Sequence, residues 1–209
     1  VTGAGDGIGL EIVKLFIENG FNVIGHYHSS SKKLKKIKSN QLQLLQSDFD
    51  ETNIINNFLG KCDQIGDVDI LINNAAYYEY SENKYEVDLR TIEKYLNVNL
   101  VTPYILCQHF SKSMREKNKG NITNISSISV KHGGSLNSAF YTISKSAIEQ
   151  MTRTLSKDYA NYNINVNSFR IGMVNTKFHQ KNPKKNIVER EKLIPLKRLA
   201  SPEEIAKII

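Results

Sequence analysis

The sequence predicts an α/β fold, a parallel sheet covered by helices on both faces in three layers. Two observations predict it. Short runs rich in Ile, Val and Leu alternate with amphipathic segments of helical length, the pattern of parallel strands joined by helical crossovers. A glycine-rich turn, Thr2 to Gly9, leads straight into the first amphipathic segment. With 209 residues, 40% of them hydrophobic and 23% charged, one domain with a substantial core is expected. Neither a repeat nor a linker divides the chain.

Residues 8–19 place Ile8, Ile12, Leu15 and Phe16 on one helical face, and Gly20 supplies the stop. Phe21 to Tyr27 reads as a short buried strand, and Lys32 to Lys38 as a solvated helix. A strand over 41–46 and a helix over 51–62 follow, then a buried strand, Val68 to Ile72, that ends at Asn73-Asn74. A long helix from about Asp88 to Lys117 is interrupted or bent near Pro103, whose nitrogen carries no proton. Asn121 to Ser126 is a strand, 140–160 a helix and 163–168 a strand. Residues 175–198 are basic with little pattern. Ser201-Pro202-Glu203-Glu204 then opens a helix, with serine as N-cap and proline at the first helical position.

Composition excludes several classes. No apolar run approaches the roughly 20 residues of a membrane span, so no membrane partner is expected. Two cysteines, Cys62 and Cys107, are too few for a disulfide framework and point to a reducing, cytoplasmic setting. The five histidines are scattered without ligand spacing, so no metal is expected. Lys+Arg 28 against Asp+Glu 21 gives a net charge of +7, open to nucleic acid, an acidic surface, an anionic small molecule or plain solubility. The chain lacks an aromatic–basic platform and a recognition-helix pattern, which argues against nucleic acid. It opens at Val1-Thr2-Gly3 and stops at Ile208-Ile209 inside a growing helix, and reads as a piece of a longer protein, truncated at both ends.

Two constellations carry chemistry. In the first turn Gly3 permits the sharp bend, Gly7 lets backbone approach a diphosphate, and Gly9 permits close helix packing; the helix N-terminus offers free N–H groups and partial positive charge. Tyr141 and Lys145, four residues apart at a helix start, share one face. A phenol with a pKa of about 10 is a poor acid or base at neutral pH, and a neighbouring ammonium is expected to lower it. A parallel sheet brings the turn, the Asn73-Asn74 strand end, the Ser127 strand end and this pair to its carboxyl edge, where ligands bind.

On these motifs the sequence resembles the short-chain dehydrogenase/reductase family, and within it the 3-oxoacyl-carrier-protein reductase-like members. TGxxxGIG is Thr2 to Gly9; NNAG appears as Asn73-Asn74-Ala75-Ala76; Asn99 lies within NVN; NISS supplies Ser127; YxxxK supplies Tyr141 and Lys145; PGxxxT appears as Ile171 to Thr176. The resemblance implies a single Rossmann-like, doubly wound domain over 1–209, lacking most of the first strand and the last one. It implies an oxidoreductase interconverting a ketone and a secondary alcohol by hydride transfer, working in the reductive direction. Tyr141 would give or take the proton, Lys145 would lower its pKa and hold the nicotinamide ribose, Ser127 would bond the substrate oxygen, and Asn99 would support a water beside Lys145. Ser126 is the rival for the serine role, and a helix-bend role for Asn99 is compatible with the other. Gly3, Asp6, Gly7, Ile8, Gly9, Tyr27, His28, Ser29, Asp48, Phe49, Asn74, Ala75, Tyr141, Lys145, Gly172, Val174 and Thr176 would bind the cofactor, with Asp48 at the adenine.

The second strand ends at Tyr27 where NAD-using members carry an acid, and His28, the serines and Lys32 suit a 2′-phosphate, which favours NADP with NAD as alternative; Asp6 opposes this. Ala76 in place of glycine adds a methyl where positive φ is expected, and Ile171 in place of proline is expected to loosen the loop after it. Lys177, Lys181, Lys184, Lys185, Arg190, Lys192, Lys197 and Arg198 suggest an anionic or carrier-linked substrate, or merely solvation. His132 lies at the cleft rim. A homotetramer or homodimer built on helices 88–117 and 140–160, through Tyr95, Leu96, Phe110 and Met151, is implied. The alternative is a catalytically inactive, NAD(P)-binding regulatory protein.

Overall fold

A computed structural model describes residues 1–80, 83, 85–180 and 187–209. Lys181, Lys184 and Lys185 lie outside the described residues. The first helix, α1 (Gly7–Glu18), is followed by β1 (Val23–Tyr27), β2 (Leu42–Gln46), α2 (Thr52–Ile65) and β3 (Ile70–Asn73). Then come α3 (Leu89–Leu96), α4 (Thr102–Glu116), β4 (Gly120–Ser127), α5 (Ser129–His132), α6 (Ala139–Tyr159) and β5 (Ile164–Ile171). Three short helices follow: α7 (Lys177–Gln180), α8 (Ile187–Leu193) and α9 (Pro202–Ala206).

All strand pairs are parallel. β1 pairs with β2, and β4 lies between β3 and β5. Residues 1–4 run between β1 and β3. Thr2 N–H donates to the Ile72 carbonyl at 3.0 Å, Ala4 N–H to His26 at 2.7 Å, and His26 N–H to Val1 at 3.0 Å. The spatial order is thus β2, β1, residues 1–4, β3, β4, β5. One face is covered by α2, α4 and α6 around Phe58, Leu106, Phe110, Ile122, Ile148 and Val166. The other is covered by α1 and α9, through Leu10, Val13, Val23 and Leu34 and through Ile12, Ile72 and Ala206. This is the three-layer α/β arrangement the alternation predicts, and every crossover delivers a strand end to the same edge.

Two expectations change and one is sharpened. Lys32 to Lys38 forms only a three-residue 3-10 turn, Leu34–Lys36, anchored by buried Leu34. Two apolar side chains, Leu34 and Ile37, are too few to hold a longer helix, and like charges a turn apart repel. The long helix is interrupted before Pro103, at a π turn over Asn97–Val101. Pro103 has no N–H to return to the Asn99 carbonyl, and Thr102 N–H reaches five residues back to Asn97. Tyr95, Phe110 and Met151 are buried in the chain's own interior rather than offered to a partner. The Ser201 N-cap appears as expected, closed into a capping box with Glu204.

Candidate active site

The glycine-rich turn is built by its neighbours. Gly3 and Gly7 both take positive φ, +64° and +57°, which side chains resist. A Cβ on Gly9 would sit 2.4 Å from the Gly3 carbonyl oxygen, so the helix start packs directly on the turn. Thr2 Oγ1 accepts the N–H groups of Asn74 and Ala75, both at 3.0 Å, while Asn74 Nδ2 donates to the Thr2 carbonyl at 2.9 Å. The Asn74 side chain therefore clamps the turn to the end of β3.

Buried His26 completes this support, and the sequence reading passed over it. Its Nδ1 lies 3.2 Å from Gly3 N and its Nε2 3.0 Å from the Ser47 carbonyl. The fit is a neutral ring, protonated at Nε2, accepting from Gly3 and donating to Ser47. Burial holds its pKa down at about 4, against the opposing Ser47 bond. The ring stacks on Phe49 at 3.8 Å. The Phe49 side chain is accordingly core, and only its backbone remains to meet a cofactor.

Around this turn the structure gathers most of the remaining dinucleotide candidates. Asp6 caps α1 by accepting from Gly7 N–H at 2.8 Å, and it also pairs with Lys33 at 2.5 Å and Lys177 at 3.4 Å. Partial burial works to raise its pKa, but Lys33, the Gly7 amide and Lys177 outweigh it and hold the carboxyl below its ordinary value. The repulsion expected between Asp6 and a nearby phosphate is thus offset by two ammonium groups. Tyr27 ends β1 half-buried, Ser29 is exposed, and His28 lies 3.2 Å from Asp48. Gly5 was missed by the motif reading. A Cβ there would lie 2.1 Å from the Ser30 carbonyl oxygen, so the loop after β1 closes onto the turn.

Across the cleft, β5 continues to Ile171, in register with Ser127, and the Ile171 carbonyl accepts Ile128 N–H at 2.9 Å. The isoleucine is thus the last residue of the ladder rather than part of a loosened loop. Gly172 is exposed, the Val174 side chain is buried where it bridges to Ala200, and Thr176 reaches Gly7, whose added Cβ would meet its methyl at 3.1 Å. Ile8 is half-buried beside the α1–α9 core. Ala76 is not among the positive-φ residues, so its methyl sits on ordinary backbone.

The second cluster joins β4 to α6. Lys145 is buried to 1% exposure, and Nζ donates to the Ile125 carbonyl at 2.7 Å. Burial lowers its pKa to about 8. Tyr141 lies one turn earlier, with Lys145 Nζ 5.9 Å from its ring centroid. Burial raises the phenol to about 12, and only hydrogen bonding with Ser127 pulls it down. Expectation and structure differ here: the protein alone does not favour a phenolate, because the ammonium is turned to Ile125. Ser127 Oγ also accepts from Ser129 N–H at 3.2 Å and from its hydroxyl at 3.0 Å. Ser126, the rival serine, points the other way and donates to Glu149 at 2.6 Å.

Asn99 is fully buried on the π turn. Its Oδ1 accepts Tyr77 N–H at 2.7 Å, and its Nδ2 contacts the Tyr77 carbonyl and Ser144 Oγ, both at 3.0 Å. Its side chain is thus committed to the loop after β3 and to α6, rather than to Lys145. His132 is exposed on α5. Among the described residues no group of three or more His, Cys, Asp or Glu could hold a metal, and no helix is long and apolar enough to cross a membrane.

A model of the short chain dehydrogenase family matches residues 1–187. The chain belongs to that family. It is 29% identical to glucose 1-dehydrogenase 2 of Bacillus subtilis (strain 168), over 99% of this chain and 83% of the relative. It is 30% identical to the 3-oxoacyl-(acyl-carrier-protein) reductase FabG of Chlamydia pneumoniae, over 100% of this chain and 86% of the relative. A 4-hydroxyisoleucine dehydrogenase solved in complex with NADH superposes with a TM-score of 0.91 at 28% identity, covering 100% of this chain and 87% of that one. This short chain dehydrogenase is an oxidoreductase of the kind that works between alcohols and carbonyl compounds with NAD(P).

Proposed function

We propose that this dehydrogenase interconverts a ketone and a secondary alcohol with NADP, in the reductive direction, through Ser127, Tyr141 and Lys145. The observation that carries the reading is the convergence of these three side chains on one cleft, with Lys145 sealed beneath Tyr141 at the carboxyl edge of the sheet. The nicotinamide cofactor would supply the hydride. Gly3, Gly7 and Gly9 with the α1 N-terminus would hold its diphosphate, Asp48 and the Phe49 backbone the adenine, and Asn74, Ala75 and Gly172 to Thr176 the nicotinamide half. Tyr141 gives its proton to the developing alkoxide, Ser127 donates to the same oxygen, and Lys145 raises the acidity of the phenol once its amine turns from Ile125. Asn99 acts at one remove, by fixing the loop that faces Tyr141.

NADP rests on Tyr27 standing where an acid would reject a 2′-phosphate, and on Lys33 and Lys177 offsetting Asp6. A lower KM for NADH than for NADPH would overturn it. An anionic or carrier-linked substrate is the reading for the basic loop. Against it, Lys177 pairs with Asp6, Lys192 with Glu189 and Arg198 with Glu204. A cytoplasmic setting is supported by two buried, unpaired thiols, and a homotetramer or homodimer by exposed apolar groups such as Tyr104 and Ile143 on α4 and α6. The decisive experiment is Tyr141→Phe with a ketone panel. Turnover should be lost while NADPH binding, followed by nicotinamide fluorescence, persists; an unchanged rate refutes the mechanism.

A further inference from the structure

Tyr78 is mounted with unusual firmness. On one side of it, Tyr77 has both backbone groups held by Asn99, at 2.7 and 3.0 Å. On the other, Glu79 has both held by the Tyr95 hydroxyl, which accepts from its N–H at 2.9 Å and donates to its carbonyl at 2.8 Å. Tyr95 is itself buried, and its ring meets that of Tyr77 at 4.9 Å. Four hydrogen bonds thus fix the two residues flanking Tyr78. The result is a ring edge-on to Tyr141, with centroids 5.4 Å apart and planes at 83°.

A third ring closes a triangle with these two. Phe178, on α7, lies 5.1 Å from Tyr78 and 5.7 Å from Tyr141. Three rings therefore pack together, one of them Tyr141, whose hydroxyl is proposed to move the proton. Aromatic faces carry partial negative charge and attract C–H groups.

We propose that Tyr78 and Phe178 are walls of the substrate site, and that they select a ring-borne ketone or secondary alcohol. The C–H face of the substrate ring stacks on the fixed wall, Tyr78, and takes the place of part of the Phe178 contact, while its oxygen reaches Tyr141. This rests on the function proposed above, and it names a substrate class which that function leaves open.

The test compares cyclohexanone, 2-hexanone and 4-oxopentanoate: a neutral ring, a neutral open chain of the same carbon count, and an anionic open chain. Wild type should favour cyclohexanone in kcat/KM by about tenfold, the size of a good aromatic contact. Tyr78→Ala should bring cyclohexanone and 2-hexanone to within about twofold, Phe178→Ala should reduce the preference, and Tyr78→Phe should keep it. Saturation-transfer NMR of cyclohexanol on the NADPH-loaded protein gives a readout without turnover, with a signal that Tyr78→Ala removes. Equal or better use of either open-chain ketone by wild type, a ring preference that survives Tyr78→Ala, or absence of the NMR signal would overturn the proposal. Turnover of 2-hexanone without ring preference defeats this inference alone; absence of turnover with every ketone defeats the proposed function, and the NMR still decides this one.

Discussion

Replacing Lys145 by methionine should make the protein inactive and more stable. Burial holds the ammonium down from 10.5 to about 8. At about 1.4 kcal/mol per pKa unit, that drop costs the native state about 3 kcal/mol at neutral pH, relative to a chain in which the lysine is hydrated. Methionine keeps the unbranched shape without the charge, and the lost bond to Ile125 returns about 1 kcal/mol. The net gain is about 2 kcal/mol, or roughly 4–8 °C in Tm for a chain of this length. The pH dependence is diagnostic. Between pH 8 and 10.5 the unfolded lysine binds a proton that the native one has released, so wild-type stability rises with pH through that window. The variant has no such group, and its advantage should shrink as the pH rises. Urea unfolding from pH 7 to 10 measures both. A variant less stable than wild type at pH 7, or an advantage that does not change with pH, would refute the reasoning.

Arg170→Met strips the bidentate partner from Glu149, whose side chain is 5% exposed against 46% for the arginine. Between a surface pair and a fully buried one, the loss should be about 2 kcal/mol in urea unfolding. Arg170 holds the Glu149 carboxyl below its ordinary pKa, more than burial raises it. That stabilisation is present above the ordinary glutamate pKa and is lost as pH falls through the depressed one, so the variant should lose less stability than wild type on acidification. His26→Leu removes the acceptor of Gly3 N–H and the partner of the Ser47 carbonyl, and should weaken NADPH binding about tenfold in a fluorescence titration, the size of the one of these two bonds that supports the turn itself. Gly9→Ala forces a methyl to 2.4 Å from the Gly3 carbonyl oxygen and should abolish cofactor binding, whereas Gly60→Ala, with open space around it on α2, should stabilise by about 0.5–1 kcal/mol in the same unfolding assay.

What could be read from the sequence was local and periodic. The Gly3–Gly7–Gly9 spacing and the four-residue step from Tyr141 to Lys145 are properties of one turn and one helix, and both survive into the structure. The β-branched runs became β1, β3, β4 and β5 because apolar strands fit only a doubly covered sheet. What escaped depends on contacts between distant segments. His26 reads as one more strand residue until Gly3 and Ser47 are brought to its two nitrogens. Gly5 looks dispensable until Ser30 presses on it. Glu149 and Arg170 are 21 positions apart, and nothing in either neighbourhood marks them as partners. The lowered phenol pKa failed for a related reason: spacing places Lys145 near Tyr141, but it does not say which way the amine turns. Likewise Ala76 was read through its family position, whereas its own backbone makes no demand for glycine.

The π turn at Asn97–Val101 separates two stretches of helix with different duties. Ahead of it, Tyr95 holds the loop that carries Tyr78; beyond it, Leu106, Phe110 and Met114 fill the core. In an α-helix each residue advances the phase by about 100°. Removing one residue from the turn would therefore rotate α3 by that angle relative to α4, swing Tyr95 away from Glu79 and release Tyr78, while α4 kept its seat. Such a chain could change what its cleft accepts by a single-residue deletion at a side chain that never touches substrate, with the α4 packing unaltered. The helix works as a phase dial between folding and selectivity.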